Sequence, residues 1–176
     1  MMRSSTLSML LVLCAAGAGS AKAQRVPMDW NNRTLTGASL EIMTVDGAGL
    51  LQATLRSTHI GNRTVAPDVS WGVGFVDGVL LSTIDLGIGT SVGTPGVLAT
   101  ISGGPTLLGA VAVGSGGSGA AAIVGVQARA GVVVPFNDKI GVRFDAGRRW
   151  YINNNQTYGV WTFGFGVTGF GRQATH

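Results

Sequence analysis

Apolar and polar residues alternate along most of this chain with a period of two. In residues 69–75 the odd positions are apolar and the even positions are Ser or Gly. Residues 161–168 place Trp, Phe or Val at odd positions and Thr or Gly at even ones, and residues 140–147 alternate apolar residues with Gly, Arg and Asp. Such alternation is typical of β-strands, and no segment has an apolar stripe at helical spacing between caps. The sequence therefore predicts an all-β fold.

Turn signals divide the chain into strands that follow one another. Asp46-Gly47 and Asp77-Gly78 fit two-residue hairpin turns, in which both central residues need positive φ. Gly103-Gly104-Pro105 and Phe136-Asn137-Asp138 are read as further tight turns. Longer polar links lie between them, at residues 59–66, 90–96, 114–119 and 151–157. Alternating short turns and long links predict an antiparallel up-and-down meander, which in a membrane barrel has its short turns on the periplasmic side.

The strand count is ambiguous from the sequence. The turns leave nine alternating runs: 37–45, 48–58, 67–76, 79–89, 97–102, 105–113, 120–134, 139–150 and 158–170. A barrel with both ends on one side needs an even number of strands. Treating residues 97–102 as loop, or 39–45 as non-spanning, gives eight strands, whereas a further strand near residues 30–34 gives ten. We favour eight, because the shortest run is the easiest to discard.

The first residues resemble a secretory signal peptide. Arg3 is followed by the mostly apolar residues 7–18 and by the small-x-small sequence Ala21-Lys22-Ala23. Cleavage after Ala23 predicts a signal peptide over residues 1–23 and a single barrel domain over residues 24–176. The only cysteine, Cys14, lies inside the signal, so the mature domain would fold without a disulfide.

Composition excludes several classes of function. Without the signal, ten Lys and Arg face eight Asp and Glu, a net charge of +2 with no basic run, which does not suit a nucleic-acid partner. Two histidines and no mature cysteine provide no zinc-ligand set, so we expect no metal and no cofactor. After the signal, no apolar run reaches the roughly 18 residues of a spanning helix.

Two all-β architectures fit this pattern, a transmembrane barrel and a secreted soluble β-sandwich. Solvated strand faces usually carry many charged residues, but here the polar face is Gly, Ser and Thr with a few Arg and Asp, and Lys139 is the only lysine after Lys22. Small residues with a few paired charges suit the narrow interior of an eight-stranded barrel. The sequence therefore favours the barrel, and a soluble sandwich that serves as a binding module is the alternative.

The end of the chain carries a family resemblance. The stretch GVVVPFNDKIGVRFDAGRRWY, followed by a polar loop and YGVWTFGFGVTGF, resembles small bacterial outer-membrane β-barrel proteins of the eight-stranded type. One departure is that Phe170 is followed by six further residues, whereas such barrels commonly end on an aromatic residue. The resemblance implies a location in the outer membrane of a Gram-negative bacterium. It also implies outer-membrane lipid and the outer-membrane assembly machinery as partners.

The alternation assigns side chains to the two faces of this barrel. The charged residues on the polar face are expected to form a network in the lumen, and they are Glu41, Arg56, Asp85, Arg129, Arg143, Asp145 and Arg149. The residues expected to face lipid are Val142, Phe144, Trp161, Phe163, Phe165 and Val167. Aromatic residues that flank the last loop, and are expected at the membrane interface, are Trp150, Tyr151 and Tyr158.

These assignments predict a non-enzymatic protein with a structural or surface-interaction role in the cell envelope. A narrow, anion-leaning pore is a less favoured interpretation, because eight strands leave little room for water. A lipid-modifying barrel enzyme is another. It would use Ser57 and His59, which stand two residues apart without a supporting motif.

Overall fold

A computed structural model describes residues 30, 33–45, 48–60, 65–112, 119–153 and 156–172. The predicted signal peptide and its cleavage site lie outside these residues. The described chain forms eight strands: β1 (Arg33–Val45), β2 (Ala48–Ile60), β3 (Ala66–Val76), β4 (Val79–Thr94), β5 (Val97–Ala112), β6 (Ala120–Pro135), β7 (Ile140–Asn153) and β8 (Gln156–Arg172). Each strand pairs antiparallel with its neighbours in sequence, and β1 pairs with β8 to close the barrel. The predicted eight-stranded, up-and-down antiparallel barrel is confirmed, and a sandwich of two sheets is wrong.

The barrel is polar inside and apolar outside. On β3, Asp68 and Ser70 point inward and are buried, whereas Val69, Trp71 and Phe75 are exposed on the outer wall. A water-soluble fold would show the opposite distribution. None of the residues that the structure describes belongs to a helix long and apolar enough to cross a membrane.

Strand β5 corrects the predicted strand boundaries. The predicted turn at Gly103-Gly104-Pro105 is wrong, because these residues lie in the middle of a 16-residue strand. Their pairing with β6 is continuous, while the pairing with β4 skips Leu86-Gly87 opposite Gly104-Pro105. A proline cannot donate a ladder hydrogen bond, so it interrupts one edge of the strand without ending it. The two runs 97–102 and 105–113 are therefore one strand, and none of the adjustments considered from the sequence was the right one.

The connections also differ from the prediction. Asp77 and Gly78 both have positive φ, 47° and 78°, which confirms the Asp-Gly hairpin turn. The start of β1 and the end of β8 lie at one end of the barrel, the terminal end, together with connections 61–65, 95–96 and 136–139. The strand bounds leave connections 46–47, 77–78, 113–119 and 154–155 at the opposite, distal end. The predicted Asp46-Gly47 turn lies outside the described residues. Short turns therefore occur at both ends, and the predicted segregation of short turns from long loops is wrong.

The strands are longer than the sequence pattern indicated, and this explains the short connections. Residues Thr90–Thr94, predicted as a link, pair with Val97–Ile101 and extend β4 and β5 toward the terminal end. Polar residues are compatible with a strand where it extends past the apolar band of the barrel. Loss of apolar alternation therefore marked the edge of that band rather than the end of the strand.

The barrel interior has three layers. At the terminal end an apolar cluster fills the lumen, and it consists of Trp30, Leu35, Ile60, Leu98, Val133 and Phe170. At the distal end a second cluster consists of Met43, Tyr151 and Val160, with Leu50, Leu108 and Ile123 packed against it. Between the two clusters the inward side chains are polar or charged. Small residues make room for this middle layer, since a Cβ on Gly131 would come within 2.9 Å of Thr100 Oγ1 and nearer still to Asp145.

Candidate functional site

The middle layer of the lumen contains the buried ion pairs of the barrel, and Asp85 on β4 is at the centre of one group of them. Its carboxylate accepts hydrogen bonds from Ser70 (2.7 Å) and Thr106 (2.6 Å) on the neighbouring strands. Arg129 donates to it from β6 at 2.9 Å, and Arg149 from β7 at 2.8 and 3.2 Å. Asp85 therefore ties strands β3, β4 and β5 to the opposite wall.

Glu41 on β1 completes this first cluster. Arg149 Nη1 donates to Glu41 Oε1 at 2.7 Å, so one guanidinium joins Glu41 to Asp85. Arg129 Nη2 lies 3.6 Å from Glu41 Oε2, and Thr54 donates to the same oxygen at 3.4 Å. Charge-assisted hydrogen bonds of this kind are the strong ones in a low-dielectric interior. Because the donors and acceptors belong to different walls, they brace the barrel across its width.

A second cluster lies toward the terminal end and is centred on Arg56. Its guanidinium donates to both oxygens of Asp68, with 2.8 Å from Nε to Oδ1, and to Asp145 Oδ1 at 2.7 Å. Arg143 Nε donates to Asp145 at 2.9 and 3.0 Å, and its Nη1 donates to Thr58 at 3.0 Å. Thr58 in turn donates to Asp68 at 2.8 Å. This cluster therefore connects β2, β3 and β7.

The structure places all seven charged residues predicted for the lumen inside the barrel, and Asp68 joins them. Arg33 is also buried, at the terminal end, where it donates to the carbonyl oxygen of Asp138 at 2.9 Å. The sequence could have indicated Asp68, because it shares the parity of Ser70 and Gly72 on β3. With it, the two clusters together contain four guanidinium groups and four carboxylates. The two clusters together are thus balanced in charge.

The network is closed off from both barrel ends. Arg149 is only 1% exposed, and the apolar clusters of the terminal and distal ends lie on either side of the charged layer. A small pocket beside the second cluster is lined by Arg56, Thr58, Thr100 and Ser102, among others. Thr100 Oγ1, on the lining of this pocket, and Arg143 Nη2, in the second cluster, are buried without a hydrogen-bond partner among the described residues.

The contacts of this layer suit bracing of the barrel wall. Its acids are engaged by arginines rather than grouped with one another, and among the described residues no group of three or more His, Cys, Asp or Glu could hold a metal ion. Fully paired buried ions hold strands in one register, because moving one partner leaves the other charge uncompensated. The network can therefore fix the shape of the barrel and fill its interior.

The outer wall carries the residues predicted to face lipid. Phe144, Trp161, Phe163, Phe165 and Val167 point outward and are 43–53% exposed, and Val142 points the same way but is half-buried. The Phe144 and Phe165 rings pack 5.0 Å apart across β7 and β8. This wall is continuous with other exposed apolar residues on every strand, such as Leu55, Ile88 and Val126.

The aromatic residues expected at the interface separate into two groups. Trp150 lies on the outer wall near the distal end, as its parity with Phe144 requires. The interfacial prediction for Tyr151 is wrong, because its side chain is 2% exposed and belongs to the distal apolar cluster in the lumen. Tyr158 pairs with Tyr151 in register but is exposed at the barrel rim, where its hydroxyl donates to Gln156 at 2.5 Å.

Ser57 and His59 both point outward near the terminal end of β2. Ser57 Oγ lies 3.4 Å from Thr36 Oγ1, and His59 Nδ1 lies 3.3 Å from Thr34 Oγ1. Each side chain thus has a threonine of β1 beside it. The sequence analysis also passed over Arg148, which lies on the outer wall between two tryptophans.

Comparison with solved structures relates this barrel to known folds. It is similar to the N-terminal β-barrel domain of OprF from Pseudomonas aeruginosa, with a TM-score of 0.61 and 17% identity over 80% of this chain and 98% of that one. Neisserial surface protein A gives a TM-score of 0.61 at 11% identity, over 80% and 96% of the two chains. Ail, the attachment invasion locus protein of Yersinia pestis, gives 0.55 at 13% identity, over 80% and 99%.

Neither the protein-family models nor the curated proteins include a match to this chain. Identities of 11–17% show likeness of fold alone. The closed barrel and its eight strands agree with these three structures. The fold of this chain is therefore that of the eight-stranded outer-membrane β-barrels.

Proposed function

We propose that this protein is a sealed outer-membrane β-barrel with a non-enzymatic, structural role in the envelope of a Gram-negative bacterium. The observation that carries the proposal is the filled interior: a charge-balanced network lies between two apolar clusters. An exposed apolar wall on every strand supports insertion into a bilayer, where such a wall is stable. Outer-membrane lipid and the assembly machinery are the partners that this role requires.

Export would depend on residues 1–23 acting as a cleaved signal peptide. The even strand number supports a barrel whose two ends lie on the periplasmic side, so that the distal end faces outward. N-terminal sequencing of the mature protein should begin at Gln24. A mature chain that begins at a lipid-modified Cys14 would contradict this proposal for the early residues.

Of the two envelope roles expected from the sequence, the structural one is better supported. Two of the similar structures are named as a surface protein and an attachment invasion locus protein. In this chain, however, three of the four distal connections have two residues and the fourth has seven. Such short connections provide little area for a partner, since a specific protein interface buries about 800 Å² on each side. A rigid, filled barrel is the feature that the chain does possess.

The pore and enzyme interpretations receive less support. Conduction would require a water-filled path, but the apolar clusters close both ends of the lumen. A lipid-modifying enzyme that acts on the outer leaflet would need its catalytic pair near the distal end. Ser57 and His59 lie near the terminal end instead, each beside a threonine and with no carboxylate bonded to the imidazole in the described structure.

Two measurements test the proposal. Membrane fractionation should place the mature protein in the outer membrane, and unheated samples should migrate differently from heated samples on a gel, because a folded barrel resists detergent unfolding. Planar-bilayer recordings of the same preparation should show no steady conductance. A soluble periplasmic protein would exclude the membrane role, and a stable open channel would exclude the sealed lumen.

A further inference from the structure

One side chain breaks the apolar character of the outer wall. Among the strand side chains that the structure describes, Arg148 is the only Lys, Arg, Asp or Glu that points outward. Its neighbours on the same face of β7 are Ala146 and Trp150. A charged group on the lipid side of a barrel is destabilising unless it lies near the membrane interface or has a partner. The position and partners of Arg148 therefore need an explanation.

Two tryptophan rings hold the guanidinium in place. Arg148 Cζ lies 5.0 Å from the centroid of the Trp161 ring and 5.6 Å from that of Trp150. Trp161 is the register partner of Arg148 on β8, and Gly159 leaves the space beside it open. A Cβ on Gly159 would come within 2.7 Å of Arg148 Nη2. The guanidinium thus lies beside two aromatic rings, and Gly159 leaves room for it because glycine has no side chain.

The N–H groups of the Arg148 guanidinium donate no hydrogen bond to the described protein. No described residue accepts a hydrogen bond from its guanidinium, and its Nε is buried without a partner. The tryptophan rings attract the positive charge by about 0.5–2 kcal/mol each, but they do not accept the N–H groups in the way that an anion does. The four arginines of the lumen network, by contrast, each donate to a carboxylate. The two Nη groups are not buried, so an acceptor from outside the described residues can reach them.

The height of Arg148 identifies where that acceptor lies. Arg148 follows Phe144 by four residues toward the distal end, which is about 10 Å along the barrel axis for a tilted strand. The apolar band of such barrels is about 25 Å tall. Phe144 pairs with Phe165, one of the two middle residues of the outward apolar run 161–167 on β8, whereas Arg148 pairs with Trp161 at the distal end of that run. Arg148 therefore lies at the level of the lipid headgroups of the leaflet on the distal side.

We propose that Arg148, Trp150 and Trp161 form a binding site for the phosphate of an anionic membrane lipid. A guanidinium presents its N–H groups in a planar fork that matches two phosphate oxygens, and the rings fix that fork at the headgroup level. The inference rests on the proposed membrane location. The source of the phosphate is a lipid headgroup rather than free phosphate, because this site lies on the outer wall of the barrel, which contacts lipid.

Fluorescence quenching by brominated lipids tests this site directly. The protein is reconstituted with Trp30 and Trp71 changed to Phe, so that Trp150 and Trp161 report. Vesicles contain phosphatidylcholine with either brominated phosphatidylglycerol or brominated phosphatidylcholine. We expect the anionic lipid to associate about fivefold more strongly, as one basic residue near a membrane surface provides. Arg148→Met should abolish this preference, and Arg148→Lys should retain part of it.

Matched variants separate the site from general effects of charge. Lys139→Met removes a cation at the opposite end and should leave the preference unchanged. Gly159→Ala keeps the charge but displaces the guanidinium, and it should weaken the preference. Inorganic phosphate added to the vesicles should not compete, and competition by it would overturn the assignment to lipid.

Failure of the inference is distinguishable from failure of the proposed function. A protein that inserts and shows heat-dependent gel mobility, yet has equal quenching by both lipids, would overturn the phosphate site and leave the membrane barrel intact. An undiminished preference in Arg148→Met would do the same. A protein that does not insert into vesicles would contradict the proposed function itself.

Discussion

Neighbouring residues on β7 occupy opposite environments. Arg143 and Arg149 point into the lumen and are 5% and 1% exposed, whereas Phe144, between them in sequence, points outward and is 43% exposed. Inside, each charge is stabilised by named partners on other strands. Outside, the apolar side chains have neighbours only along the wall, as Phe144 has Phe165, and a bilayer would cover the rest of their surface. The inner face is therefore stable only when each charged residue keeps its particular partner. The outer face requires only that its side chains be apolar.

The largest effect should come from the acid at the centre of the network. Asp85→Leu would leave Arg129 without its close carboxylate and would remove two donor contacts of Arg149. Breaking a buried ion pair by deleting one partner costs about 3–5 kcal/mol. We expect a loss of this size in the free energy of unfolding, measured by urea titration in liposomes.

A double variant shows whether this loss comes from the ion pair between Asp85 and Arg149. Asp85→Leu combined with Arg149→Leu should cost less than the sum of the two single changes, because each removes a charge that the other leaves unpaired. Additive losses would indicate that the two residues do not interact as the structure shows.

On the outer wall, a change of polarity should have the next largest effect. Phe144→Arg would place a charge near the middle of the apolar band and should cost about 2–4 kcal/mol. Phe144→Leu keeps the polarity and should cost much less. Urea unfolding and insertion yield in liposomes provide the measurement, and equal stability of the two variants would argue that this position does not face lipid.

A smaller loss is expected for Arg143→Leu. From the sequence alone this change would leave Asp145 unpaired, but in the structure Asp145 keeps the bond from Arg56. The variant loses the bonds from Arg143 to Asp145 and Thr58, and such hydrogen bonds to charged groups contribute about 1.5–3 kcal/mol. In the same unfolding assay, Arg143→Leu should lose less free energy of unfolding than Asp85→Leu. A larger loss for Arg143→Leu would contradict the assigned contacts.

The smallest effect is expected when threonine is changed to valine, and the same change can be made on each of the two faces. Thr106→Val removes an inward hydroxyl that donates to Asp85 at 2.6 Å and should cost about 1 kcal/mol. Thr90→Val makes the same change at an exposed outward position and should fall within about 0.5 kcal/mol of the parent. Equal losses at the two positions would remove the distinction between the faces.

The sequence predicted the fold well because side-chain direction in a strand depends only on parity. The residues expected to face inward or outward lie on those faces wherever parity was the argument. Tyr151 was misplaced because a cluster of aromatic residues near a loop outweighed its parity with Arg149, which points inward. Parity is fixed by backbone geometry, whereas an aromatic residue is compatible with either environment.

Strand ends and contact partners were less predictable. Gly103-Gly104-Pro105 has the composition of a turn, yet its pairing with β6 holds it in the middle of β5. Asp68 shares the parity of Ser70 on β3, so its direction could have been predicted, but its partners Arg56 and Thr58 could not. Which acid meets which arginine depends on register and on the curvature of the closed sheet, and neither appears in a local pattern.

Spin-label accessibility along β8 tests the inside-out barrel most directly. Residues 24–176 contain no cysteine, so single cysteines at residues 161–165 can each carry a label in liposomes. We predict high accessibility to oxygen, which concentrates in lipid, at Trp161, Phe163 and Phe165, and low accessibility at Thr162 and Gly164. Labels at the odd positions that are shielded from oxygen, with water-accessible labels at the even positions, would contradict the account.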